Sequence, residues 1–377
     1  MRIGLKDELE QVVYQNLGDR AYMVSEEELT QQIDTCIRNV RLAEQLSLKE
    51  RVRLREDLLY SIRGYGLISR LLAEEDITEI MVNGNGNIFY EKQGRLHPYD
   101  EKMSDPAKTA DIIQKMVAYS GRKVNESHPI ADARLQDGSR LNIVLPPISV
   151  DGPVITIRRF AAHPYTVESL IANGSMTREA AGILQKMVEG KKNIFIFGGT
   201  GSGKTTLLNV LADFIGREER VITVEDSAEL QIRHIDNLVR MEARTLEEDY
   251  IKDISIRDLI RSALRMRPDR IIVGEVRGAE AFDMLNAMNT GHEGSMSTGH
   301  ANSPQDMLLR LEMMILSGIN VSERVLQRLI VAAIDYLVEV RREPDGSRKI
   351  KGIYHVTGIN AEGYCLERVY SAEGKGG

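Results

Sequence analysis

Tryptophan is absent from this chain of 377 residues, phenylalanine occurs six times, and the only cysteines are Cys36 and Cys365. Two cysteines in distant segments supply neither a disulfide framework nor a zinc-ligand cluster, so free thiols in a reducing cytoplasm are expected. No apolar run approaches the roughly 18 residues of a membrane span, and the N-terminus lacks the apolar core of a signal peptide. A basic excess is missing as well. The net charge is −7 and the pI about 5.7, which provides no global positive field for nucleic acid, and no stable nucleic-acid binding is expected. Low-complexity tracts, internal repeats and the Asn-Lys-x-Asp motif that reads guanine are also lacking. What remains is 42% hydrophobic and 28% charged, the composition of a globular protein long enough for two or three domains.

One glycine cluster is conspicuous against that background. Residues 198–206 read Gly-Gly-Thr-Gly-Ser-Gly-Lys-Thr-Thr, preceded by the apolar run Asn193-Ile194-Phe195-Ile196-Phe197 and followed by Leu207-Leu208-Asn209-Val210-Leu211. This is the strand–loop–helix setting of a phosphate-binding loop, and Gly198, Gly203, Lys204 and Thr205 fill the pattern G-x-x-x-x-G-K-[ST]. Glycines without Cβ let successive N–H groups turn inward around a phosphate, and the following helix adds its positive end. Gly198, Gly199, Thr200, Gly201, Ser202, Gly203, Lys204, Thr205 and Thr206 are therefore expected to bind ATP. Lys204 would reach the β- and γ-phosphates, and the Thr205 hydroxyl would ligate Mg²⁺.

Hydrophobic period divides the chain into three. Residues 1–63 are expected to be helical, with Leu29, Ile33, Cys36, Ile37, Val40 and Leu46 at three- and four-residue steps and a capping-box start at Ser25-Glu26-Glu27-Glu28. Residues 64–160 change to short alternating runs: a hairpin from 77–82 through Asn83-Gly84-Asn85-Gly86 to 88–90, a turn at Gln93-Gly94, a helix over 107–119, a second hairpin turning at Asp137-Gly138, and a strand over 154–159. That is an α+β module. A linker is expected at 161–165, within a final domain over 161–377.

In the final domain, strands expected at 193–197, 220–224, 270–274 and 294–298 alternate with helices at 177–189, 204–214, 255–266 and 278–290. Such alternation predicts an α/β fold with a largely parallel sheet covered on both faces. Further helices near 303–316 and 322–334, strands near 335–342, 348–358 and 363–370, and a loose tail at 374–377 complete it.

Ligands of such sheets bind at the carboxyl ends of the strands. One strand ends in Glu225-Asp226, another in Gly274-Glu275, and a third is flanked by His292 and His300; all are expected at the edge that carries the phosphate loop. Glu275 stands where most phosphate-loop enzymes place a Mg²⁺-holding Asp, and Glu225 is then the candidate to polarise the attacking water. Two readings stand for His292 and His300, a γ-phosphate sensor or a structural imidazole; their eight-residue spacing is no zinc pattern. Two readings also stand for Arg134, Arg140, Arg158 and Arg159: a solvated face, or planar cations for the γ-phosphate.

Together these stretches resemble the type II and type IV secretion ATPases. The phosphate loop, the acidic box Ile222-Thr223-Val224-Glu225-Asp226-Ser227, the strand end Arg270 to Arg277 and the histidine box Thr290-Gly291-His292 to His300-Ala301-Asn302-Ser303 carry the resemblance. Asp76 to Gly84, Ser127 to Leu135 and Thr298 to Pro304 are most similar to the CpaF/TadA-type ATPases of Flp pili. The resemblance implies a RecA-like C-terminal domain hinged to a smaller N-terminal domain. It further implies a homohexameric, Mg²⁺-dependent ATPase at the inner face of the cytoplasmic membrane, docked on inner-membrane platform proteins and driving pilin export. By motif position it implies Glu225 as the water-activating acid, Glu275 as the Mg²⁺ carboxylate, His292 and His300 as histidine-box residues, and Arg134, Arg140, Arg158 and Arg159 as phosphate-contact candidates. The VirB11-like branch, with its nucleic-acid-translocating members, is the alternative within the same superfamily.

Overall fold

The structure, a computed structural model, describes residues 3–18, 20, 23–39, 46–92, 94–159, 165–244 and 253–372. The expected linker at 161–164, Val40, the turn residue Gln93 and the tail at 374–377 lie outside the described residues. The chain forms two compact units, 1–162 and 163–377.

The first unit begins with three helices, α1 (Ile3–Leu17), α2 (Glu26–Asn39) and α3 (Leu48–Ile62). Leu9, Val13, Leu29, Ile33, Leu54, Leu58 and Ile62 are fully buried between them, as the helical spacing requires. Ser25 accepts from the Glu28 N–H at the start of α2. Ser47 and Glu50 close a second, reciprocal capping box at the start of α3, which the periodic pattern did not single out.

A short helix α4 (Leu67–Leu72) leads into β1 (Ile77–Val82), β2 (Asn87–Lys92), β3 (Arg95–Lys102), α5 (Pro106–Ala118), β4 (Ile130–Arg134), β5 (Arg140–Val144) and β6 (Val154–Arg158). The six strands form one antiparallel sheet in the order β3-β2-β1-β6-β5-β4. Alternation sends Ile80, Leu141, Ile143, Ile155 and Ile157 into one core. The opposite face therefore carries whatever stands at the intervening positions.

The second unit runs α6 (Val167–Ala172), α7 (Arg178–Glu189), β7 (Ile194–Phe197), α8 (Lys204–Ala212), β8 (Val221–Glu225), β9 (Leu238–Glu242), α9 (Ile256–Ala263), β10 (Arg270–Val273), α10 (Glu280–Asn289), β11 (Met296–Gly299), α11 (Pro304–Leu316), α12 (Glu323–Ala333), β12 (Tyr336–Arg342), β13 (Arg348–Asn360) and β14 (Gly363–Ser371). Its sheet has the order β14-β13-β12-β7-β11-β10-β8-β9. Neighbours from β12 to β9 are parallel, and β13 and β14 extend the sheet antiparallel.

Every residue of β7, β8, β10 and β11 is buried; the first three accordingly read as largely apolar runs, whereas β11, Met-Ser-Thr-Gly, is small and polar. Along β7, Ile194 and Ile196 pack into one core with Leu184, Leu208 and Leu211. Phe195 and Phe197 pack into the other with Met284, Leu311 and Ile330. The edge strand β9 and the helix α6 are additions to the expected elements. β9 reads Leu-Val-Arg-Met-Glu, and its mixed polarity hid it; being an edge, it buries little.

Candidate functional site

Beyond Phe197 the chain leaves β7 through a loop whose glycines are required sterically. A Cβ at Gly198 would lie 2.0 Å from the Val340 carbonyl oxygen, so the loop can run this close to β12 only without a side chain. Gly203 holds φ at +93° immediately before α8 and provides no side-chain cap. The first N–H groups of α8 are thus left for an anion, at the positive end of the helix. Lys204 is 7% exposed. Its ammonium donates to the carbonyls of Gly198 at 3.2 Å and Gly199 at 3.0 Å, and it lies 3.4 Å from His300 Nδ1. Burial lowers the Lys204 pKa, with the Glu275 charge acting against that shift. Thr205 and Thr206 are half-buried in the first turn, and Gly199, Thr200 and Gly201 form the exposed rim. The buried Ser202 hydroxyl has no hydrogen-bond partner.

Parallel pairing brings the ends of β8, β10 and β11 to the same edge as this loop. Gly299 pairs with Phe197, and Val273 with both Ser297 and Val224. His300 follows directly, its Nε2 3.0 Å from Glu275 Oε1 without the alignment of a hydrogen bond. Partial burial and then the Lys204 charge hold the His300 imidazole pKa below its ordinary value. Arg277 donates to Glu275 Oε2 at 2.9 Å and stands 3.8 Å from Asp226. The side chains thus form a chain from Lys204 through His300 and Glu275 to Arg277.

Glu225 is 2% exposed. Its Oε1 accepts from the N–H groups of Glu229 at 2.8 Å and Leu230 at 2.9 Å, whereas its buried Oε2 has no partner. Burial raises the Glu225 pKa, against the pull of those two N–H groups. The space for this side chain comes from Gly274, where a Cβ would meet Glu225 Cγ at 3.0 Å. The Gly274-Glu275 pair therefore has a packing reason for its glycine. The orphaned Ser202 hydroxyl and the glycine cradle at the start of α8 fit a phosphate ester. Thr205 and Glu275 fit a Mg²⁺ that keeps several water or phosphate ligands, since Mg²⁺ is held by one or two carboxylates beside phosphates. Among the described residues no cluster of three or more His, Cys, Asp or Glu could hold a metal on its own.

His292 departs from the expected convergence. β11 begins only at Met296, so His292 stands beyond its amino end while the phosphate loop and His300 stand at its carboxyl end. There the His292 carbonyl accepts from the Ser295 hydroxyl at 2.7 Å. Eight residues that cross a sheet from edge to edge cannot end at the same edge.

Three of the four arginines share one row of the antiparallel sheet of the first unit. Arg134 on β4 pairs with Arg140 on β5, and Arg140 with Arg158 on β6. The row continues to Glu79 on β1, whose carboxylate is 3.8 Å from Arg158 Nε. Directly paired residues share a face, so these guanidinium groups lie on the face away from the apolar core. Arg159 does not join them: it donates to the carbonyls of Glu74 and Ile77, tying the sheet to the turn before β1.

Arg277 and Arg348 were not among the residues read as functional from the sequence. Arg277 follows Glu275 by two residues, and that adjacency was the available signal. Arg348 Nε donates to the Gly201 carbonyl at 2.9 Å across 147 residues of chain, for which no local pattern exists.

A family profile described as type II/IV secretion system protein matches residues 62–348, and the chain belongs to that family. It is 33% identical over 307 residues to the conjugal transfer protein TrbB of Rhizobium radiobacter, covering 80% of this chain and 90% of that one. It is 32% identical over 323 residues to the type IV secretion system protein PtlH of Bordetella pertussis, covering 77% of this chain and 93% of that one. The fold is also similar to that of the ATPase DotB of Legionella pneumophila, with TM-score 0.54, 23% identity and coverage of 75% and 78%. The architecture is thus a RecA-like C-terminal domain with a smaller α+β N-terminal domain. No described helix is long and apolar enough to cross a membrane.

Proposed function

We propose that this chain is a Mg²⁺-dependent ATPase, a homohexameric motor that powers assembly of a Flp-type pilus from the inner face of the cytoplasmic membrane. The observation that supports hydrolysis is the meeting of Lys204, His300, Glu275 and Glu225 at the carboxyl ends of four adjacent parallel strands around one phosphate loop. Glu225 takes the proton of the attacking water, its buried Oε2 being the acceptor. Lys204 leaves the loop carbonyls for the phosphate oxygens, and His300 links that movement to Glu275. Thr205 and Glu275 would hold Mg²⁺, whose chemistry is to neutralise charge on the β- and γ-oxygens. Arg134, Arg140 and Arg158 are the proposed planar cations for charge developing on the transferred phosphoryl group, with Arg159 a bracing residue; His292 is a histidine-box residue without a direct phosphate contact. Inner-membrane platform proteins are the proposed partners of the ring, and pilin export follows indirectly.

The similarity to TrbB favours a second reading, a conjugal-transfer ATPase of the VirB11-like branch. Phosphate release by the purified chain tests both. Wild type is expected to hydrolyse ATP and Lys204→Ala to lose turnover; retained activity in that variant would rule out the site. Turnover indifferent to single-stranded DNA agrees with the pilus motor, whereas DNA stimulation that disappears steeply with salt favours the conjugal reading.

A further inference from the structure

The segment between the end of β8 at Glu225 and the start of β9 at Leu238 belongs to no helix or strand. Its backbone N–H groups have no ladder to join, so the buried ones need acceptors from side chains. Leu230, Ile232 and Ile235, all at most 7% exposed, pack into the same core as Leu207, Leu208 and Leu211 of α8. Apolar burial thus lays this strap beside the helix that follows the phosphate loop.

Three successive N–H groups of the strap find their acceptors in two side chains. Those of Glu229 and Leu230 donate to Glu225 Oε1 at 2.8 and 2.9 Å. The next, that of Gln231, donates to Asn209 Oδ1 at 2.8 Å, a contact between residues 22 positions apart. Asn209 is half-buried in the interior of α8, where asparagine is a weaker helix former than alanine or leucine. Its place there is explained by the strap. Thr205, in the first turn of the same helix, precedes Asn209 by four residues, so both stand on one face of α8.

Glu225 depends on that strap for its direction. Its Oε2 has no partner, so both hydrogen bonds to the carboxylate come from the strap through Oε1. On the β10 side Gly274 leaves room for the side chain and has none of its own to brace it. A strap without regular structure aims the carboxylate, and Asn209 fixes the strap one residue beyond the two aiming N–H groups. The path from the phosphate-loop helix to Glu225 is therefore one side chain and two residues of backbone.

We infer that Asn209 is a positioning residue: it ties the strap over 226–237 to the phosphate-loop helix and so sets the direction in which Glu225 meets the attacking water. The inference rests on the reading of Glu225 as the base given above. It is tested on the full chain by phosphate release, direct binding of a fluorescent nucleotide and amide hydrogen exchange. Asn209→Ala should lower kcat about tenfold, a part of what a 1 Å misplacement can cost, with KM for ATP and nucleotide affinity within about twofold of wild type. Exchange of the N–H groups at 229–231 should quicken by about tenfold in the same variant, a readout independent of turnover. Asn209→Asp keeps an acceptor in place and should recover kcat to within about threefold of wild type. In a Glu225→Gln background, Asn209→Ala should change the residual turnover by less than about twofold, because a residue that acts through Glu225 has nothing left to position. Unchanged exchange at 229–231, a raised KM with kcat kept, no recovery in Asn209→Asp, or the same tenfold loss in the Glu225→Gln background would each overturn the positioning role. Glu225→Gln with turnover within about tenfold of wild type would instead overturn the base reading beneath it.

Discussion

Replacing Glu225 by Gln separates the chemistry of this carboxylate from its packing. The carboxamide oxygen can keep both acceptor positions toward the N–H groups of Glu229 and Leu230. The other oxygen, buried and unpartnered, becomes an NH₂ that cannot accept a proton. A positioned general base contributes about 10²–10⁴ in rate. At about 1.36 kcal/mol per factor of ten, the barrier should rise by roughly 2.7–5.4 kcal/mol.

Stability should behave differently. Burial raises the pKa of Glu225 in the folded chain. Folding therefore favours the protonated form, so this group's stabilising contribution is complete below the unfolded pKa and is lost as pH rises through the folded one. At neutral pH the charge works against the fold, and Gln removes it; an unpaired buried NH₂ costs about 1–3 kcal/mol in the opposite direction. With these terms opposed, the denaturation midpoint should change little while phosphate release collapses. The pH profile gives an independent reading: the wild-type acid limb should lie above the ordinary carboxylate range and should be absent in Glu225→Gln. Turnover of the folded variant within about tenfold of wild type, or an unchanged acid limb, would refute the assignment.

Gly274→Ala should crowd Glu225 Cγ from 3.0 Å and lower kcat about tenfold with nucleotide affinity retained, a part of the 10²-fold that a 1 Å misplacement can cost; steady-state kinetics with a direct binding measurement checks it. Glu219→Gln should destabilise the second unit by about 3–5 kcal/mol, because it leaves the Arg270 guanidinium buried without its countercharge. Burial opposes the Glu219 charge, but Arg270 and Lys191 keep its pKa below the ordinary value. The stability from this pair is therefore present above the unfolded pKa and lost as pH falls through the folded one, a dependence the variant should lack in denaturant titrations at stepped pH.

The strand–loop–helix geometry around residues 198–206 was legible because its pattern is local: glycines, Lys204 and Thr205 stand within nine residues, between β7 and α8. The buried parallel strands were legible for a similar reason, since β7, β8 and β10 are largely apolar on both faces, and β8, β10 and β11 lead into distinctive acids or a histidine. β9 was not, because an edge strand faces water and carries no continuous apolar run. The arginines show the limit from the other side. Their pairing row depends on the register of three strands, and the shift of one position that sends Arg159 to the carbonyls of Glu74 and Ile77 reverses its face.

The sequence by itself determined the glycine-rich turn at residues 198–206 between a strand and a helix, and which acids end which strands. Only the tertiary structure decided which of those residues meet. Strand polarity placed His300 beside Lys204 and Glu275 and left His292 at the far edge, because a parallel strand carries its two ends to opposite sides of the sheet. Chain reversal after β12 brought Arg348 back onto Gly201, a contact between residues 147 positions apart that no spacing rule contains. Burial, which depends on everything packed around a group, made Glu225 a carboxylate with one satisfied and one unsatisfied oxygen.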